Sequence, residues 1–389
     1  MKKLTYRHTQ YASYLGYVTQ AIVNNLAPLL FVIFQDQFHI PLHKITLLIT
    51  TNFCFQLVVD FIAARIVDRI GYRPCIIAAH LFATAGLVGM AVLPHLFSDP
   101  YYGLLTAVLL YAVGGGLIEV LISPIVEACP TDNKASVMSL LHSFYCWGTV
   151  GVIVLSTGFL ALFGRENWRI LACLWAMLPL GNAFFFAKVP IAQLGDDGSS
   201  MSLGSLVRSR LFWLFIVLMV ASGASEQAMS QWASTFAEKG LGVSKAIGDL
   251  AGPCLFSILM GCSRVFYAKF SERINLINFI IGSCVLCIGA YLLAALSPNP
   301  ILGLVGCGLC GLSVGILWPG VFATASERIP TGGTAMFAYL ALAGDLGCSS
   351  GPTLVGMIAG AFGDNLGIGL VFAIIFPIVL IVGSLAAKK

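Results

Sequence analysis

A chain of 389 residues that is 58% hydrophobic and only 10% charged lacks the charged surface of a water-soluble fold, in which about a quarter of residues carry charge. Its net charge of +4 sits in short polar breaks between apolar runs, so it reports membrane topology and not a nucleic-acid surface. About twelve runs reach the roughly 20 apolar residues that a bilayer crossing needs, and the fold expected is an all-α membrane protein of 12 transmembrane helices.

The predicted spans are 10–34, 45–67, 74–95, 101–127, 135–162, 168–188, 210–236, 246–268, 275–297, 300–325, 333–361 and 366–386. The first run is too long for a cleavable signal and leads directly into the second. It carries Gln20, Asn24 and Asn25, amides expected either to line a cavity or to tie helices together. The second ends in the charged hairpin Asp60 to Pro74, D-F-I-A-A-R-I-V-D-R-I-G-Y-R-P. The fourth holds Glu119 deep among apolar residues, with Ser123 and Glu127 one and two turns on along the same face. A charge at such depth costs at least about 2.5 kcal/mol, so Glu119 is expected to work, as a site of proton pick-up and release. In the fifth run His142 is a candidate relay to Glu119, and Tyr145 a candidate solute contact.

The stretch Ala192 to Ser205 is rich in Gly, Ser and Asp and reads as a linker. It divides the chain into a six-helix bundle over 1–190, a cytoplasmic linker over 191–208 and a second bundle over 209–389. The seventh run carries Glu226, Gln227 and Gln231 beside Trp232, a set of carboxylate, amides and indole suited to sugar hydroxyls and an apolar sugar face. In the tenth, Trp318-Pro319 predicts a helix break beside the solute, because proline removes a backbone hydrogen bond. Asp345 is buried in the eleventh, with binding and gating both open to it.

Two other patterns point to bland roles. Cys284-Val-Leu-Cys287 and Cys307-Gly-Leu-Cys310 imitate zinc spacing, but they fall among Leu, Ile, Val and Gly and read as buried thiols, so no metal or cofactor is expected. Gly311-Leu-Ser-Val-Gly315 spells the hydrolase G-x-S-x-G, yet a membrane helix offers no strand–turn–helix elbow, and no other catalytic set supports an enzyme. Instead, Gly311-x-x-x-Gly315, Gly347-x-x-x-Gly351 and Gly356-x-x-x-Gly360 predict close helix contacts.

The two halves repeat. Shifted by 204 residues, Ala64, Arg65, Asp68, Arg69 and Ile70 fall on Ala268, Lys269, Glu272, Arg273 and Ile274. The same shift sets Asp60 on Arg264, opposite charges expected at a cytoplasmic gate with Asp68, Arg69, Arg73, Glu272 and Arg273. Sorting the 21 basic residues by alternating loops places sixteen inside and five outside, so both termini are expected in the cytoplasm.

Ala64-x-x-x-Asp68-Arg69-x-Gly71-Tyr72-Arg73 resembles the G-x-x-x-D-R-x-G-R-R hairpin of the major facilitator superfamily, with Ala and Tyr as departures. The resemblance implies two pseudo-symmetric six-helix bundles rocking about a central site. A narrower resemblance, to the fucose permease-like branch, rests on Gly114-Gly-Gly-Leu-Ile-Glu119, Ser143-Phe-Tyr-Cys-Trp-Gly148 and Gly223-Ala-Ser-Glu226-Gln227. Asn24-Asn25 departs from it, because that branch places an acid there. The resemblance implies a monomeric transporter of the bacterial inner membrane, moving a monosaccharide with protons and needing no nucleic acid. A sugar uniporter and an exporter of amphipathic compounds are the alternatives.

Overall fold

The computed structural model describes residues 4–130, 134–192, 203–270, 273–329 and 332–388. Among these residues every regular element is helical, and eleven segments are long and apolar enough to cross a bilayer. The chain forms two compact units, Met1–Gly195 and Asp196–Lys389.

The first unit contains α1 (Tyr6–Phe38), α2 (Leu42–Ile70), α3 (Tyr72–Val92), α4 (Pro100–Glu127), α5 (Lys134–Phe163) and α6 (Trp168–Lys188). The second contains α7 (Arg210–Gly240), α8 (Lys245–Tyr267), α9 (Leu276–Leu296), α10 (Pro300–Arg328), α11 (Gly333–Ala361) and α12 (Leu366–Lys388), after a short helix at Leu203–Arg208. α11 is the long helix beyond the eleven, and its bounds match the predicted run.

Local chemistry explains the ends, and the same devices recur in both units. Asp99 caps α4 by accepting from the Tyr101 amide at 2.9 Å, with Pro100 as the first helical residue. Asn299 does the same for α10, accepting from Ile301, again ahead of a proline. Both caps satisfy amides that the first turn leaves without partners, and proline gives up a donor that had none to serve. α5 ends at Gly164 with φ +89°, and α11 is followed by Gly363 with φ +68°. The charged hairpin is tighter than predicted: α2 runs to Ile70, α3 starts at Tyr72, and Gly71 alone turns the chain with φ +94°. Only glycine enters that region without strain.

Backbone contact through glycine governs the packing of the second unit. A Cβ on Gly347 would lie 2.0 Å from the Val220 carbonyl, and one on Gly351 would lie 2.6 Å from that of Ala224, so α11 rests directly on α7. Gly311 and Gly315 seat α10 against the Phe256 and Met260 carbonyls of α8 in the same way. The third expected face behaves differently: a Cβ on Gly360 would find only Asp364 Oδ1, 4.0 Å away.

Candidate functional site

Each unit carries its own buried polar cluster. In the first, the cluster is built on α1, α2 and α4. Gln20 donates from Nε2 to Glu119 Oε2 at 3.1 Å and to Gln56 Oε1 at 3.2 Å. Gln56 donates in turn to Asn24 Oδ1 at 3.0 Å and to Asn52 Oδ1 at 2.9 Å. One carboxylate is thereby wired through a single amide to three more. The α2 members stand at i, i+4 and i+8, as Asn52, Gln56 and Asp60, so they share one helix face.

Glycines on α4 make room for that face. A Cβ on Gly115 would lie 3.0 Å from the Gln56 amide, and one on Gly116 would lie 2.8 Å from Asp60 Oδ1. Asn52 and Gln56 escaped the reading of the sequence, although their four-residue spacing ahead of Asp60 was the available signal.

Asn25 turns elsewhere, donating to the Ala21 carbonyl at 2.9 Å and to Thr149 Oγ1 at 3.3 Å, which ties α1 to α5. His142 packs its ring on Tyr17 at 5.2 Å. The Tyr17 hydroxyl shares a 3.0 Å hydrogen bond with Ser123, one turn beyond Glu119. Tyr17, another residue missed in the sequence, thus lies between His142 and the Glu119 face of α4. Tyr145 is half-buried, and its carbonyl accepts from Thr149.

In the second unit the cluster lies on α7, α8 and α10. Glu226 Oε2 sits 3.5 Å from Arg264 Nη2, while Gln227 donates to Glu226 Oε1 at 3.4 Å and Gln231 donates to Gln227 at 3.0 Å. Arg264, expected at a gate opposite Asp60, is therefore engaged inside its own unit by the carboxylate read as a solute ligand.

The guanidinium has a second anchor: Nε donates to the Gly315 carbonyl at 3.1 Å. That carbonyl is available because its regular helical donor would be residue 319, which is proline. The break predicted at Trp318-Pro319 falls there, with helix over Pro300–Val314 and again over Leu317–Arg328.

Trp232 is fully buried, and its indole N–H donates to the Pro352 carbonyl at 2.9 Å. It pins α7 to α11. The Trp318 ring is half-buried and lies over Gly344, where a Cβ would come within 2.1 Å of it; Asp345 is buried beside that contact.

The hairpin charges divide. Arg73 donates three hydrogen bonds, to the carbonyls of Phe186, Ala187 and Val189, at 2.8–2.9 Å. It thus caps the carboxyl end of α6, where unsatisfied carbonyls and the helix dipole favour a cation. Arg273 is exposed. The side chains of Asp68 and Arg69, and Glu272 altogether, lie outside the described residues.

Known proteins agree with this architecture. An uncharacterised MFS-type transporter of Yersinia enterocolitica is 24% identical over 372 residues, covering 90% of this chain and 87% of the relative. A membrane protein of Rhizobium meliloti, MosC, is 22% identical over 72% of this chain and 67% of its own.

Two solved structures share the fold at 14% identity. The fucose:proton symporter of E. coli has a TM-score of 0.72 over 99% of this chain and 100% of its own. A D-xylose–proton symporter has a TM-score of 0.76 over 99% and 96%. The family profile described as Major Facilitator Superfamily matches residues 13–352, and the chain belongs to that superfamily of multi-pass membrane transporters.

Proposed function

We propose that this transporter moves a small hydroxylated solute, a monosaccharide, by alternating access with proton symport across a bacterial inner membrane, both termini being cytoplasmic. The observation that carries the reading is the Glu119–Gln20–Gln56–Asn24 network. A sugar hydroxyl both donates and accepts, and it can replace amide–amide bonds one for one. A carboxylate joined to the same amides feels whether they are occupied, which links proton binding to solute binding at Glu119.

His142, its ring packed at a tilt against Tyr17, is the relay candidate on this route. The second unit has its own set of acceptors and donors in Glu226, Gln227 and Gln231, with Arg264 fixing the carboxylate. Similarity in fold to symporters of fucose and xylose supports a pentose or hexose as the first solutes to try.

The test is uptake into proteoliposomes across a panel of fucose, galactose, glucose and xylose, with and without an imposed pH gradient. Gradient-dependent accumulation that Glu119→Gln converts to pH-indifferent equilibration is the expected result. Equilibration alone in the unmodified protein would make it a uniporter. No uptake of any sugar would overturn the solute assignment.

A further inference from the structure

α7 is not one continuous helix. It is α-helical over Arg210–Ser230, turns at Gln231 and Trp232, resumes over Ala233–Thr235, and becomes π-helical over Phe236–Gly240. α8 opens with one turn over Lys245–Asp249 and then a π-helical stretch, Leu250–Cys254, that contains Pro253. π-helical turns inside α-helices are rare and recur at functional sites. Here two of them flank one hairpin.

A charged clamp crosses that hairpin. Lys245 Nζ lies 3.0 Å from Asp249 Oδ2 and 3.3 Å from Oδ1, and the Ser234 hydroxyl of α7 donates to Asp249 Oδ1. All three residues are buried, Asp249 being only 1% exposed. Small residues bring the backbones together around them: a Cβ on Gly248 would lie 3.1 Å from that of Ala237, and one on Gly252 3.3 Å from the Ala233 carbonyl. Apolar packing of this kind holds a hairpin without help. A buried ion pair adds desolvation cost, and its best-attested use is to fix one register among several.

The register in question is that of Gln231. Its amide donates to Gln227, which donates to Glu226, so these three make a ladder along α7. Gln231 also ends the regular helix: its own N–H still reaches the Gln227 carbonyl at 3.0 Å, but the next N–H, that of Trp232, turns to Met229, so the regular ladder does not continue into the outer segment. Two side chains hold the residues that follow: Trp232 through the Pro352 carbonyl and Ser234 through Asp249.

We propose that Ser234, Asp249 and Lys245 form a positioning clamp that fixes the bent outer segment of α7, keeping Gln231 in line with Gln227 and Glu226 for solute recognition. The inference rests on the reading of α7 as solute-binding. Asp249 and Lys245 touch no solute in it; they act through Ser234.

Two measurements on the full-length protein test it. The first is the split between KM and kcat for uptake in Ser234→Ala, Asp249→Asn and Lys245→Met, with the exchange Lys245→Asp plus Asp249→Lys as the rescue. KM is expected to rise about tenfold with kcat within about twofold, and the exchange to recover part of the loss. The second needs no solute: Thr235→Cys, next to the clamp and 1% exposed, serves as a reporter for a water-soluble maleimide over the background of the native cysteines. Labelling is expected to quicken about fivefold or more when the clamp is removed.

Wild-type KM in the milder Ser234→Ala and in Asp249→Asn, both folded by gel filtration, would overturn the positioning role, whatever the labelling shows. Labelling at the wild-type rate in all three variants would overturn the clamp itself. Absence of uptake in the unmodified protein would instead remove the solute reading, and the labelling result would still decide whether the clamp holds the bend.

Discussion

Single residues carry the most specific chemistry here. Gln56 stands at the centre of the first polar cluster, with one amide accepting from Gln20 and donating to Asn24 and Asn52. Gln56→Leu leaves those groups buried without their partner, at about 1–3 kcal/mol for each group that finds no substitute. Thermal unfolding of the detergent-solubilised variant should show that loss, and solute affinity should fall with it. Asn52→Leu, at the edge of the cluster, should cost less than Gln56→Leu in both assays. Pro319 offers the opposite experiment. Pro319→Ala restores an N–H to compete for the Gly315 carbonyl that Arg264 now holds. A gain of about 1 kcal/mol in stability is expected, because proline inside a helix is the costlier residue, together with slower uptake as α10 stiffens.

At the scale of the helices, the informative residues are those that let backbones meet or that close their ends. Gly347→Leu must push a side chain into the Val220 carbonyl and should abolish recovery of folded protein. Gly151 and Gly158 on α5 meet nothing within 4 Å, so alanine at either should be neutral or stabilising by up to about 1 kcal/mol. Arg73→Ala removes three hydrogen bonds from the end of α6 and should lower stability by about 1–3 kcal/mol. Arg73→Lys should recover only part, since a point charge replaces a planar fork.

Across the whole chain, the bundle was legible in the sequence and the wiring only partly. Hydrophobic length and the repeated hairpin located the spans closely, because the bilayer allows few alternatives to a helix of that length. Glu119, Glu226 and Asp60 stood out because isolated charges in apolar runs are rare. Neutral amides such as Asn52 and Gln56 give a weaker signal, because burying an amide costs far less than burying a charge. Partners were beyond reach. Arg264 was matched to Asp60 by repeat symmetry, whereas its described neighbours, Glu226 and Gly315, follow from helix packing that no one-dimensional pattern encodes. Lys245 stands just ahead of the eighth predicted run, and nothing in that position announces that it is buried on Asp249. A fluorescent protein fused after Lys389 should mature and fluoresce if that end is cytoplasmic, as the distribution of basic residues predicts; a dark fusion alongside an active periplasmic reporter would reverse the orientation.

The carbonyl that Pro319 leaves open makes the stiffness of α10 depend on a side chain borrowed from α8. A regular helix owns all of its struts, whereas this one leases a strut that is also tied to a carboxylate on α7. Any anion that outbids Glu226 for the guanidinium therefore pulls at the bend in α10 in the same event. Three helices then receive one mechanical signal, and the ion pair acts as a joint as well as a charge balance.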